Sequence, residues 1–278
     1  MLFSKKYLIK LSCLLITAPA FSQNHFRGLD FEDNAYSFVK KKPRSTRTEE
    51  VPAFASVKLY APIPKNQGQY GTCTVWATAY CASTIVNAIK AGVTDKDSIT
   101  NYAYSPAFLF RLIKPKDINC SGSSSLMTAL KVQKEQGNLP MREASAECIP
   151  AVSQDQIQKA VNAKLKDYAR LFDVESPAKL KIYTVKKSLS EKKPVVIGMV
   201  CPPSFDVAKE IWKPKPTEQP DRKLYGGHAM CVVGYDDNKD GGSFEIQNSW
   251  GDKWGNGGYT WVNYETFAAF TMYGFEIK

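Results

Sequence analysis

Residues 226–259 contain Gly226-Gly227-His228-Ala229-Met230-Cys231-Val232-Val233-Gly234-Tyr235, a polar turn from Asp236 to Gly242, and Ser243-Phe244-Glu245-Ile246-Gln247-Asn248-Ser249-Trp250, followed by Trp254-Gly255 and Gly258-Tyr259. Two apolar, β-branched runs around a glycine-containing turn form the pattern of an antiparallel hairpin. If its centre is Asn238 or Lys239, His228 and Asn248 stand opposite each other, or one diagonal step apart, on one face. An amide oxygen accepting from one imidazole nitrogen would fix the ring and leave the other nitrogen free for proton transfer. The chain has only two histidines. The other, His25, lies in a Gln-Asn-His-Phe-Arg context that reads as surface decoration.

Working outward, Pro194 to Val200 is a short apolar run of strand length, and Met230–Tyr235, Ser243–Gln247 and Gly258–Asn263 add further strands. Upstream the period changes to that of a helix. Val75, Trp76, Ala79, Tyr80, Ile85, Val86 and Ile89 recur at helical spacing after a turn-rich segment from Ala61 to Gly71, and Gly92 ends the pattern. Ser121 to Ser125 leads into a second helix ending at Gly137. Ser153 to Gln156 resembles a capping box opening a helix to about Phe172, and a short helix covers about Lys181 to Ser190. Helices followed by strands indicate an α+β protein with two lobes. Cys73 falls in the first turn of the long helix, where free amides and the dipole favour a thiolate. Cys81, two turns inward, reads as a small core residue.

The 278 residues suffice for a substantial core without a lattice of disulfides, and the formal charge is +10. That excess forms no stripe of Lys and Arg with interleaved aromatics, so nucleic acid is not an expected partner. No apolar run reaches the length of a membrane span, so the mature protein is expected to lack an integral membrane segment. The cysteines lack paired zinc spacing and no phosphate-binding glycine loop is present, so neither metal nor cofactor is expected. Lys5, Lys6 and Lys10, an apolar stretch from Leu11 to Ala18 and small residues to Ser22 read as a signal peptide over residues 1–22, and hence export to a secreted or periplasmic location. Residues 23–50 read as a short prosegment or linker. They include Lys40-Lys41-Lys42-Pro43-Arg44 with Arg47, an exposed basic linker or processing site.

Taken together, Asn66-Gln67-Gly68-Gln69-Tyr70-Gly71-Thr72-Cys73, Gly227-His228-Ala229 and Asn248-Ser249-Trp250-Gly251 resemble, in order, the nucleophile, histidine and asparagine segments of papain-family cysteine proteases. The resemblance spans about Asn66 to Tyr259. It implies a papain-like two-lobed fold, with a mainly helical lobe at about 65–180, a β-rich, barrel-like lobe at about 181–278 plus 51–64, and the active-site cleft between them. It also implies Cys73 as nucleophile, His228 as acid and base, Asn248 as orienter, and Gln67 with the Cys73 amide as oxyanion donors. Trp250 would shield the His228–Asn248 contact from water, and Gly122, Ser123 and Gly227 would line the substrate cleft.

The chain departs from the family signature at Tyr70, Thr72 and Thr74, and His228 and Asn248 stand farther from Cys73 than its spacing of about 130–150 residues. Cys120-Ser121-Gly122-Ser123 resembles the family's Cys-Asn-Gly-Gly segment, whose usual disulfide partner is replaced by Tyr70. The resemblance therefore leads to Cys120 pairing with Cys148, with Cys81, Cys201 and Cys231 reduced. The family's long helical prosegment motif is absent. The expected function is hydrolysis of peptide bonds in peptide or protein substrates by an exported, monomeric thiol protease through an acyl-enzyme. The alternatives are a catalytically silent papain-like binding module, or a related exopeptidase, transpeptidase or amidase.

Overall fold

The apolar run Val195–Val200 becomes the middle of an eight-stranded sheet, and every one of its residues is buried. A strand covered on both faces carries apolar residues continuously. In the computed structural model, which describes residues 25–43, 49–145 and 147–278, the strands are β1 (Phe54–Ser56), β2 (Tyr168–Arg170), β3 (Val195–Val200), β4 (Ile211–Trp212), β5 (Gly227–Asp236), β6 (Ser243–Gln247), β7 (Tyr259–Asn263) and β8 (Thr271–Ile277). Their order is β2-β8-β3-β5-β6-β7-β4, with β1 continuing along the β5 edge beyond β3. Pairings are antiparallel except β4 with β7. The expected signal peptide lies outside the described residues.

The helix Ala178–Ser190 packs on β3 and β5, as does the central helix that starts at Cys73. That central helix runs through Cys73–Val75, a wider π-helical stretch Trp76–Ser83, and Thr84–Ala91. Residues 71–85 are all buried, which is why its early turns show no solvent-facing charged side, the polar residues among them being Thr74, Thr78, Ser83 and Thr84. Further helices at Pro106–Ile113 and Leu126–Gln136 pack against one another. The architecture is α+β.

Three local expectations change. The sheet is an open path ending in β2 and β4, not barrel-like, because these end strands have three and two residues and do not pair with each other. The helix opened by the Ser153–Gln156 capping box stops at Ala160, followed by a 3-10 turn Val161–Ala163. Tyr168–Arg170 is instead captured as a strand by β8.

The third change is in residues 25–43, which are not a detached linker. Asp33–Phe38 is helical, and Tyr36 on it is 1% exposed, stacked on Tyr273 and donating its hydroxyl to the Phe172 carbonyl at 2.7 Å. The start of the basic run is also engaged. Lys41 pairs with Asp173, and Lys42 with Glu191 and the fully buried Glu276. The 44–48 part of that run lies outside the described residues.

Candidate active site

Thr72 is the N-cap of the central helix and makes no side-chain cap, leaving Cys73 as the first helical residue. The backbone amides of Ala229, Gly28, Thr74 and Cys73 itself act on the sulfur to favour the thiolate, but complete burial outweighs them and pushes the thiol up to about 11. The participation of Ala229, next to His228 on β5, shows how close the helix start lies to that strand.

His228 and Asn248 are brought together by a bulge. The β5–β6 ladder pairs Tyr235 with Phe244 and Gly234 with Glu245, then shifts so that Val232 pairs with Ile246 and Cys231 with Gln247, leaving Val233 extra. One further step sets Asn248 against Met230, a diagonal step from His228. Without the shift, Asn248 would oppose Cys231 and face away from His228. With it, His228 Nε2 and Asn248 Oδ1 are 2.7 Å apart.

That Asn248 atom also accepts the Ser249 amide at 2.8 Å, so it is the carbonyl oxygen and Nε2 carries the donated proton. Nδ1 then holds the lone pair. It is buried and has no hydrogen-bond partner. Burial, opposed by the Asn248 bond and aided by the nearby Arg27 and His25 charges, lowers the imidazole pKa to about 3. Trp250, 3% exposed, stacks on His228 with centroids 4.5 Å apart.

Gln67 is fixed by Ser249, a residue the sequence reading did not single out. The Ser249 hydroxyl donates to Gln67 Oε1 at 2.6 Å, and the Gln67 amide donates to the Ser249 carbonyl at 2.7 Å. Nε2 is thereby aimed at the Tyr70 carbonyl, 2.8 Å away, and the Phe26 carbonyl, 3.1 Å away. Ser249 is thus bonded to both Gln67 and Asn248, and its place inside the Asn-Ser-Trp motif is the signal that could have revealed it.

On the opposite rim Gly122 and Ser123 are engaged within the protein itself. The Gly122 amide is taken by the Asp117 carboxylate at 2.7 Å, and the Ser123 hydroxyl donates to Asp30. The residue whose backbone pairs with the extended chain in the cleft is Ser124. Gly227 faces it, its carbonyl accepting the Leu29 amide at 3.3 Å. Cys120 and Cys148 are disulfide-bonded, with an S–S distance of 2.05 Å, while Cys73, Cys81, Cys201 and Cys231 are free and buried.

The extended chain in the cleft is the protein's own residues 25–30. Leu29 bridges Ser124 in parallel and Gly227 antiparallel, and its side chain is 6% exposed. Gly28 donates its amide to Cys73 Sγ at 3.4 Å and accepts the Ser124 amide at 2.9 Å. Arg27 pairs with Asp206. His25 stacks on Trp250 with centroids 4.2 Å apart, so it is not surface decoration. A groove of about 1060 Å3 opens alongside, lined by residues including His25, Asn66, Trp76, Asp206, Trp250 and Trp254. Among the described residues no cluster of three or more His, Cys, Asp or Glu could hold a metal ion, and no helix is long and apolar enough to cross a membrane.

Residues 54–274 match the model of the papain family of cysteine proteases. The chain belongs to this family. As a papain-family cysteine protease it is 26% identical over 255 residues to cysteine proteinase 3 of Entamoeba histolytica, covering 88% of this chain and 71% of that one. It is 28% identical over 220 residues to an uncharacterised peptidase C1-like protein of Acanthamoeba polyphaga mimivirus, covering 73% of this chain and 65% of the viral protein's length.

Among solved structures, xylellain, a cysteine protease from Xylella fastidiosa, superposes with a TM-score of 0.68 at 22% identity, covering 91% of this chain and 95% of that one. Digestive procathepsin L2 proteinase from the Tenebrio molitor larval midgut gives 0.69 at 19% identity, with 94% and 81% coverage. These two structural likenesses concern the fold.

Proposed function

We propose that this papain-family peptidase is an exported enzyme that hydrolyses peptide bonds with Cys73 as nucleophile, His228 as proton carrier and Asn248 as orienter. The observation that carries the reading is the 2.7 Å bond from His228 Nε2 to Asn248 Oδ1, which leaves a buried Nδ1 lone pair with no other partner. Export rests on the sequence pattern of residues 1–22 alone.

In the open enzyme, Nδ1 takes the Cys73 thiol proton, and the thiolate attacks the substrate carbonyl carbon. The developing oxyanion is met by Gln67 Nε2–H and the Cys73 amide. Collapse breaks the C–N bond, and the proton on Nδ1 passes to the departing amine. Water then gives a proton back to Nδ1 and its hydroxide equivalent to the thioester, breaking C–S and releasing the acid. Ser249 serves both halves of this chemistry by holding Gln67 and Asn248.

The test is a papain-family epoxide probe with mass mapping of the modified cysteine. Labelling confined to Cys73, and lost in His228→Ala, is expected. A folded protein in which the opened cleft still leaves Cys73 unlabelled would instead be a silent binding module.

A further inference from the structure

Resting on that reading of the site, we propose that Asp206 is a specificity residue: it selects peptides that carry arginine as the first residue of the leaving half, directly after the cleaved bond.

The chemistry fixes where the leaving half lies. His228 Nδ1 hands its proton to the departing amine, so that amine and the chain beyond it stand on the His228 side of Cys73. Trp250 covers His228, and the groove of about 1060 Å3 is lined by both Trp250 and Asp206. Other charged residues line it too, but Lys65, Glu147, Lys209, Asp252 and Lys253 are exposed, where water and salt screen them. Asp206 is held differently. Its side chain is 9% exposed, and burial pushes its carboxyl up, with the Arg27 charge drawing it part of the way back.

Among the described residues, Arg27 is the ion-pair partner of Asp206. A carboxylate kept this far from water is costly unless a cation meets it. Residues 25–30 and a peptide substrate cannot occupy the cleft together, so during turnover the cation has to come from the peptide.

The position of Arg27 identifies which substrate residue supplies it. The Gly28 nitrogen is the atom at Cys73 Sγ, 3.4 Å away, and a single atom, the Arg27 carbonyl carbon, separates it from the Arg27 Cα. When a substrate carbonyl carbon takes that place at the sulfur, a single atom, the leaving nitrogen, separates it from the next Cα. The side chain that reaches Asp206 is then the first one beyond the cleaved bond. The surroundings favour arginine over lysine. While paired with Asp206, the Arg27 guanidinium lies 6.0 Å from the centroid of the Trp250 ring, so one planar group meets a carboxylate and an aromatic face together.

The carboxylate is also fixed in place. Phe205, the residue before it, is fully buried, packs edge-on to Trp212 and Trp250, and accepts the Trp254 indole N–H on its carbonyl at 3.1 Å. Trp250 and Trp254 follow Asn248 in the chain. The charge that reads the leaving half and the imidazole that protonates it therefore share one rigid support.

The experiment uses the full chain and two peptides that differ only in the first leaving-half residue, arginine in one and its uncharged isostere citrulline in the other. Measured in competition, the ratio of their kcat/KM values is independent of the fraction of enzyme whose cleft is filled. Wild type should favour the arginine peptide by about 10–100-fold, the scale of a hydrogen bond between charged groups. Asp206→Asn should bring the ratio to within about threefold of one, while Asp206→Glu, which keeps the charge, stays on the arginine side.

Epoxide labelling of Cys73, run alongside, separates this assignment from the catalytic reading. If Cys73 is labelled but wild type cuts the two peptides equally, or cuts neither, Asp206 is not the selector and the nucleophile stands. A preference for arginine that persists in folded Asp206→Asn overturns the assignment as well, and a lysine peptide cut faster than the arginine one overturns the choice of arginine. If Cys73 is unlabelled and neither peptide is cut, the catalytic reading fails and takes the Asp206 assignment with it. The wild-type ratio decides even where a variant does not fold.

Discussion

The two sides of the cleft are built by different means. His228 and Asn248 stand on a hydrogen-bonded ladder, where their meeting depends on register and on one extra residue at Val233. Cys73 stands on a helix start reached through Gly71, where backbone lies directly on backbone. Beside it, the Cys120–Cys148 bridge closes the segment that carries Ser124. One side is positioned by counting residues along strands. The other is positioned by the absence of side chains and by a covalent clamp, so the two should fail differently.

The largest expected effect separates the chemistry of the sides. His228→Ala should lower kcat/KM for a peptide substrate by about 10^3–10^4-fold, and Gln67→Ala by about 10^2–10^3-fold. Near-equal losses would mean that Gln67 also positions the histidine side through Ser249.

Stability gives the next contrast. Replacing Cys120 and Cys148 together by Ala frees a loop whose ends are 28 residues apart, and should lower the unfolding free energy by about 3 kcal/mol in urea titration. A loss near zero would show that the helical side is held by packing alone.

The last contrast is a pH signature with opposite signs on the two sides. Burial lowers the His228 pKa from 6.5 to about 3, so below about 6.5 the unfolded chain binds a proton that the folded one refuses. Stability is full above that pH and is lost as pH falls toward about 3. The groups around this imidazole are Asn248, Arg27 and His25, and His25 is shifted in the same direction. On the helical side Cys73 is raised from 9.0 to about 11, so its neutral thiol favours the fold until pH rises above about 9.0. Melting temperatures of wild type and His228→Gln should therefore diverge below pH 6.5 and run parallel above it. Divergence only in alkali would reverse the assignment.

The same contrast governs what the sequence discloses. The nearness of His228 and Asn248 is legible because a hairpin is local, but parity counted from the tip pair Asp236–Ser243 would set Asn248 opposite Cys231, and the bulge at Val233 that corrects it has no mark in the sequence. The capping box at Ser153–Gln156 is legible for the same reason, its two reciprocal bonds lying within four residues. The placement of residues 25–30 in the cleft is not legible in the sequence. Their partners at Gln67, Ser124 and Gly227 are far along the chain, and Phe-Arg-Gly-Leu-Asp has no period to announce them. The Asp33–Phe38 helix is six residues long, and its N-cap Glu32 makes no side-chain cap, so neither periodicity nor capping marks it. Nor does the sequence mark Ser124 as the residue whose backbone pairs with residues 28–30, or Asp117 as the group that takes the Gly122 amide within the same loop. Closure of the sheet is not legible, because it depends on whether two short end strands meet, which no local pattern encodes.

The bulge at Val233 also says where this protein can vary in length. The alignment of imidazole and amide is settled at the Cys231–Gln247 pair, on the active-site side of the extra residue. Everything beyond, out to the tip at Lys239–Gly241, is slack as far as that alignment is concerned. Relatives can therefore carry longer or shorter tips, or lose the unpaired Val233 itself, and keep the same His–Asn bond, while a single deletion between His228 and Cys231 would turn the imidazole to the wrong side of the sheet. Residue spacing between the two motifs is a poor ruler for the site, and the ladder pair beside it is the better one.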